Sequence, residues 1–197
     1  MNAPTVDTLV IESGSPDRTA EVGRTVGEML SESEVLCLSG PLGAGKTQFV
    51  KGLALGIGVP GDEPVVSPTF VLVREYTGRL RLYHIDAYRL SGAGELLALG
   101  FEEMTAQQDA VVVIEWADRV EAALPPSSIR IEFEHVGQSE RRLTVQWPLT
   151  PAVVAAHAAA GLEPRPLDRL AERLGLDRVR HNPGVDSGTG SPETTWA

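Results

Sequence analysis

The sequence predicts an α/β fold of three layers, a mixed and mostly parallel sheet between helices, with an antiparallel hairpin inserted into it. Three observations carry that prediction. Residues 35–38 (VLCL) and 111–114 (VVVI) are short, unbroken apolar runs, the pattern of strands buried on both faces of a parallel sheet. Residues 40–47 (GPLGAGKT) make a glycine-rich loop directly after the first run and before a segment of helical periodicity. Residues 69–76 and 80–86 read as two strands joined by Thr77-Gly78-Arg79, a hairpin turn that supplies the antiparallel pair.

In chain order, Leu9, Val10 and Ile11 give a first short strand. Ser15-Pro16-Asp17 then provides a cap, a first-turn proline and an early acid, so a helix starts there, and Val22, Val26, Met29 and Leu30 form its apolar face. Beyond the glycine loop, Phe49, Val50 and Leu53 define a second helix that ends near Gly56 and Gly58. Residues 59–64 (VPGDEP) form a loop ahead of the hairpin. A helix over 95–99 stops at Gly100, the apolar strand 111–114 ends at Glu115-Trp116, and residues 129–134 and 143–147 form a final hairpin. Past Pro148 the composition shifts to an alanine-rich segment (PAVVAAHAAAG) and a charged helical stretch from Pro166 to about Arg180. The expected organisation is therefore a main domain over 1–148, a helical C-terminal extension over 149–180, and a tail over 181–197 too polar and glycine-rich to order itself.

Composition bounds the function. A chain of 197 residues with 42% apolar and 22% charged residues is that of a globular protein with one substantial core. The opening MNAPTVDT has no basic and apolar leader, and no apolar run approaches the roughly 18 residues that cross a bilayer, so a cytoplasmic protein without membrane insertion is expected. The formal charge of −10 argues against autonomous binding of nucleic acid, whose phosphates demand a basic face. Cys37 is the single cysteine and sits inside an apolar run, where it reads as a small buried side chain. The four histidines are scattered and suggest no zinc site.

Gly40-Pro41-Leu42-Gly43-Ala44-Gly45-Lys46-Thr47 fits the phosphate-binding pattern G-x-x-x-x-G-K-[ST], and it lies between a strand and a helix as that pattern requires. Glycines let the backbone curl until successive N–H groups face inward, and the following helix aims its positive end at the phosphates. Lys46 would reach the β- and γ-phosphates and the Thr47 hydroxyl would bind Mg²⁺. The predicted architecture is accordingly a P-loop NTPase fold. Such a site also needs an acid at the end of a neighbouring buried strand, and Glu115 supplies it, with a side chain long enough to bind the metal through water or to poise the attacking water.

Guanine-reading Asn/Thr-Lys-x-Asp is absent, since the only lysine besides Lys46 is Lys51 in VKGL; adenine or weak base selectivity follows. Two further stretches carry polar groups at strand ends. In Ser67-Pro68-Thr69-Phe70 a proline-stiffened loop ends in a hydroxyl, a suitable place for a switch that senses the γ-phosphate. In YHIDAYRL, His84 and Asp86 fall on one face of a strand, with Tyr88 and Arg89 just beyond it.

Together GPLGAGKT, SPTF, the His84, Asp86, Tyr88, Arg89 cluster, ELLALGF and IEW, in this order and at these separations, closely resemble the bacterial TsaE family, over a span from near Thr8 to near Trp147. That resemblance implies the ATPase component of tRNA threonylcarbamoyladenosine (t6A) synthesis, binding ATP and Mg²⁺ and acting on a TsaB–TsaD pair that modifies adenosine 37 of tRNA, so that the tRNA is met only through the complex. It further implies phosphate and metal roles for Lys46 and Thr47, a switch role for Thr69, hydrolytic and metal roles for Asp86 and Glu115, and a functional role for Trp116. Pro41 stands where the family usually has aspartate, and Gln48 where a second threonine is common; the first alters metal-side contacts and the second replaces a hydroxyl near the α-phosphate with an amide. The expected site therefore comprises Pro41, Leu42, Gly43, Ala44, Gly45, Lys46, Thr47, Gln48, Thr69 and Trp116 around the nucleotide, Lys46, Asp86 and Glu115 in catalysis, and Thr47 and Glu115 on the metal. Slow hydrolysis by the isolated chain, completed by its partners, is the reading; a small-molecule kinase or a nucleotide-gated scaffold without turnover are the alternatives.

Overall fold

The structure, a computed structural model, describes residues 5–149 and 166–176. Its seven strands form one sheet in the order β1-β7-β6-β2-β5-β4-β3. These are β1 (Thr5–Ser13), β2 (Glu34–Ser39), β3 (Val73–Thr77), β4 (Arg81–Asp86), β5 (Ala110–Glu115), β6 (Ile129–His135) and β7 (Arg141–Leu149). The centre, β6-β2-β5-β4, is parallel, whereas β3 joins β4, and β7 joins β6 and β1, in antiparallel pairs. The sheet is thus mixed, with its parallel strands in the middle and a hairpin at each side.

The unbroken apolar runs are the reason for the parallel centre. β5 is buried at every position, and β2 at its four central ones. Side chains alternate across them, so Leu36, Leu38, Val111 and Val113 enter one apolar cluster while Cys37, Val112 and Ile114 enter another on the opposite face. Burial pushes the Cys37 thiol up to about 11, so it is an inert core group as its setting in VLCLS suggests.

Helices α1 (Pro16–Met29) and α2 (Lys46–Ile57) cover the first face. Ser15 caps α1 by accepting from the Arg18 N–H, and Gly58, with φ of 93°, closes α2. The two helices meet through glycines. A Cβ on Gly52 would run into the Ala20 carbonyl, and one on Gly27 into the carbonyl of Leu53, so backbone lies directly on backbone. The opposite face carries the short helices α3 (Ala93–Ala98) and α4 (Phe101–Thr105) together with 3₁₀ segments at Ala87–Arg89 and Ala117–Ala123. Gly100, with φ of 84°, stops α3, but α4 begins at once behind it, an element that no sequence signal announced.

The last described helix, α5 (Pro166–Arg173), buries Leu167, Leu170 and Ala171 against the α1 face, and Leu174 follows them into the same cluster. Arg18 donates to the Leu174 carbonyl at 2.9 Å, which ties the end of α5 to the start of α1. This helix falls within the charged stretch from Pro166 to about Arg180, of which residues 177–180 lie outside the described residues. The alanine-rich segment 151–161 and the tail 181–197 lie outside the described residues.

One expected strand is shorter than predicted. Residues 69–72 are not strand; β3 begins only at Val73. Pro68 starts a tight turn in which its carbonyl accepts from the Val71 and Leu72 N–H groups, and Leu72 adopts a left-handed φ of 67°. Apolar, β-prone Phe70-Val71-Leu72 looked like a strand entry, but local turn bonding and the demands on Thr69 override that propensity.

Candidate active site

Four elements end at one place. The C-terminal ends of β2, β4 and β5 and the N-terminus of α2 converge, as expected for a ligand site at the carboxyl edge of a parallel sheet. The cavity there has a volume of about 460 Å³ and is lined by Leu42 to Gln48, Ser67, Thr69, Asp86, Tyr88, Glu115 and Trp116.

The loop after β2 curls because glycines take backbone angles that other residues avoid: φ is 127° at Gly40, 74° at Gly43 and 103° at Gly45. Gly45 caps α2 without a side-chain hydrogen bond, so the first N–H groups of the helix have no side-chain acceptor where they line the cavity floor. Such an arrangement can cradle an anion. Ala44, buried against the core, and the Phe49–Phe133 edge-to-face pair at 5.9 Å fix the loop and helix to the sheet.

Lys46 is only 4% exposed. Its Nζ donates to the carbonyls of Gly40 (2.6 Å) and Pro41 (2.9 Å) and lies 3.7 Å from the centre of the Trp116 ring. Burial pushes its proton affinity below that of an ordinary lysine, partly offset by the negative charges of Glu115, Asp118 and Asp86. Trp116 reaches this position because it adopts a left-handed φ of 60°, which turns the chain sharply at the end of β5, and its ring meets Tyr88 at 5.0 Å.

The two acids sit side by side, since Asp86 on β4 is in register with Glu115 on β5. Both are nearly fully buried. Glu115 accepts from the Thr47 hydroxyl at 2.9 and 3.1 Å and from His84 Nε2 at 2.9 Å. Asp86 Oδ2 accepts from the hydroxyls of Ser67 (2.5 Å) and Thr69 (2.6 Å), while Oδ1 accepts from the Tyr88 N–H at 3.0 Å. A buried carboxylate is tolerated only when its lone pairs are satisfied, and these bonds hold each one in a defined orientation.

Of the residues named from sequence, Leu42, Gly43, Ala44, Gly45, Lys46, Thr47, Gln48, Thr69, Asp86, Glu115 and Trp116 all border this cavity. Pro41 does not; its carbonyl instead receives Lys46. Ser67 and Tyr88, which line the cavity, and His84, which contacts Glu115 behind it, are the additions; Tyr88 stands out in the sequence only as part of a strand-end cluster. Ser67 and His84 both had signals, a hydroxyl two residues before Thr69 and an i, i+2 relation to Asp86, but neither spacing shows which carboxylate the side chain would meet.

Among the described residues no cluster of three or more His, Cys, Asp or Glu side chains is arranged to hold a metal ion. A hydroxyl and one carboxylate, Thr47 and Glu115, are instead the sparse oxygen set that magnesium uses when a nucleotide supplies the remaining ligands. The donor chemistry fits Mg²⁺ on those terms.

Comparison with known proteins decides the family. The family model described as threonylcarbamoyl adenosine biosynthesis protein TsaE matches residues 13–143. The chain belongs to the TsaE family. It is 44% identical over 133 residues to the tRNA threonylcarbamoyladenosine biosynthesis protein TsaE of Treponema pallidum, a match covering 68% of this chain and 96% of that one. The Bacillus subtilis protein of the same name is 38% identical over 131 residues, covering 66% and 80%. The crystal structure of Bacillus subtilis YdiB superposes with a TM-score of 0.63 at 30% identity, over 80% of this chain and 98% of that one. The fold is thus that of a P-loop NTPase of the TsaE family. Among the described residues no helix is long and apolar enough to cross a membrane.

Proposed function

We propose that this TsaE-family protein is the Mg-ATP-hydrolysing subunit of tRNA t6A37 modification in the cytoplasm, acting on a TsaB–TsaD pair. The observation that carries the reading is the convergence of Lys46, Thr47, Asp86 and Glu115 on one cavity at the N-terminus of α2. The family match supports the pathway, and the exposed apolar side chains at the cavity, Leu42 and Tyr88, with Phe70 nearby at 88% exposure, support a protein partner at its mouth.

The backbone of Gly43 to Thr47 receives the phosphates, and Lys46 exchanges the carbonyls of Gly40 and Pro41 for the terminal phosphate, offsetting the negative charge that grows there as the bond breaks. Magnesium, when bound through Thr47 and Glu115, supplies further charge neutralisation. Asp86, held by Ser67, Thr69 and the Tyr88 N–H, orients the water for in-line attack, and the Ser67–Thr69 loop conveys the state of the γ-phosphate to the exposed Phe70 beside it. Hydrolysis then resets the partner assembly; the chain does not itself modify tRNA.

Phosphate release, measured with and without purified TsaB–TsaD, tests this. Turnover should be slow alone and faster in the assembly. Lys46→Ala should lower it about 100-fold or more, the scale of removing one transition-state donor, without unfolding the protein. Transfer of label to an organic acceptor would make the protein a kinase, and ATP binding without release in the full assembly would make it a scaffold.

A further inference from the structure

We propose that His84 is a positioning residue that holds the Glu115 carboxylate in its working orientation. The inference rests on the hydrolytic reading above and deepens it. His84 is fully buried on β4, two positions before Asp86 and on the same face of the strand. Its Nε2 lies 2.9 Å from Glu115 Oε1, and because an ionised carboxylate only accepts, that nitrogen carries the proton.

Nδ1 of His84 has no hydrogen-bond partner among the described residues. A buried polar atom in that condition has lost its water without compensation, so an apolar side chain would serve the core better. What an apolar side chain could not do is hold Glu115. Oε1 of Glu115 is shared by His84 and the Thr47 hydroxyl, while Oε2 meets only Thr47, at 3.1 Å. Once the Thr47 hydroxyl turns toward a bound nucleotide and its metal, His84 is the one hydrogen bond left to Glu115 among the described residues. His84 therefore fixes Oε1 and presents Oε2 to the cavity. A carboxylate freed of that donor rotates about its last torsion and loses the pre-set geometry on which its role depends.

The test uses the full chain in the TsaB–TsaD assembly and two variants, His84→Leu, which keeps bulk without a donor, and His84→Gln, which restores an N–H near Nε2. His84→Leu should lower turnover about 10- to 100-fold and raise the half-saturating magnesium concentration by a similar factor, the scale found when the partner of a metal ligand is removed. ATP binding measured in chelator should be unchanged, and His84→Gln should recover most of the loss. If His84→Leu matches wild type in turnover and magnesium dependence while Glu115→Gln is inactive, His84 is only core and this inference fails with the hydrolytic reading intact. If wild type itself releases no phosphate, the hydrolytic reading fails, and the contact is judged separately by ¹⁵N NMR of histidine-labelled wild-type chain. A proton on His84 Nε2 that exchanges slowly, and loses that protection in Glu115→Ala, is the expected result; an unprotonated Nε2 overturns the proposal without need of any His84 variant.

Discussion

The α1–α2 contact and the segment from Ser67 to Leu72 flank the same cavity and are built in opposite ways. Behind the cradle, Gly23, Gly27, Gly52 and Gly56 bring two helices together backbone to backbone, so the loop proposed to receive phosphate is anchored by packing that has no slack. Across the cavity, residues 67–72 are held by two hydroxyl bonds to the Asp86 carboxylate, one backbone bond from the Asp86 N–H to the Leu72 carbonyl and one turn, with Phe70 and Val71 exposed and Leu72 in a left-handed conformation. The contrast teaches a division of labour: the receiving side is rigid because van der Waals contact fixes it, and the responding side is poised because a few polar bonds, sensitive to what occupies the cavity, fix it.

The sharpest way to break that comparison is to widen the helix contact. Gly52→Ala puts a methyl group into the Ala20 carbonyl and should destabilise the protein by about 3 kcal/mol in urea unfolding, since neither backbone can retreat. Gly94→Ala in α3, where a Cβ meets nothing within 4 Å, should instead be neutral or stabilising by up to about 1 kcal/mol. Equal effects at the two sites would show that the α1–α2 approach is not as close as described.

On the responding side, Ser67→Ala combined with Thr69→Ala leaves Asp86 with the Tyr88 N–H alone. A loss of about 1–2 kcal/mol in stability is expected from two part-buried bonds to a carboxylate, together with a fall in partner-stimulated phosphate release but unchanged ATP affinity. A loss of ATP affinity equal to the loss of turnover would place the loop on the receiving side instead.

The smallest effect lies outside both regions. Glu34, at the start of β2 and far along that strand from the loop, has its carboxyl raised to about 7, first by burial and second by the nearby Glu32 charge. Its folded-state affinity for a proton exceeds the unfolded one, so the wild-type protein loses stability as pH rises from about 4.5 through about 7. Glu34→Gln should therefore match wild type near pH 4.5 and exceed it at pH 8, by about 1 kcal/mol once solvent screening of this half-buried group is allowed for, with phosphate release unaffected. Identical pH–stability curves for the two proteins would exclude the raised affinity.

Legibility in the sequence followed the same division. The cradle was readable residue by residue because its requirements are local: glycines where φ is positive, Lys46 and Thr47 at the head of a helix, an unbroken apolar strand before it. Glu115 was readable because it closes such a strand, and Asp86 from its place on one strand face with His84 and from the family resemblance. The parallel β2 and β5 at the centre followed from VLCL and VVVI, and the β3–β4 hairpin from the Thr77-Gly78-Arg79 turn. What stayed hidden depends on contacts across strands. That Glu115 meets His84 while Asp86 meets Ser67 and Thr69 follows from the β4–β5 register and from the turn at Pro68, neither of which is written in spacing alone. The same turn is why residues 69–72 read as strand and fold otherwise. The glycines of α1 and α2 were visible as residues, but only the helix crossing reveals that each touches the other's backbone.

One consequence follows from where Lys46 rests. Its ammonium is bound to two carbonyls of its own loop and stacked on Trp116. A visiting anion must outcompete those attachments, and a short one such as free phosphate or sulfate offers the ammonium little more than it has. On the proposed reading, a longer polyphosphate would grip the floor of the cradle first and then draw the lysine over, so the posture of a single side chain would act as a filter on the length of the guest.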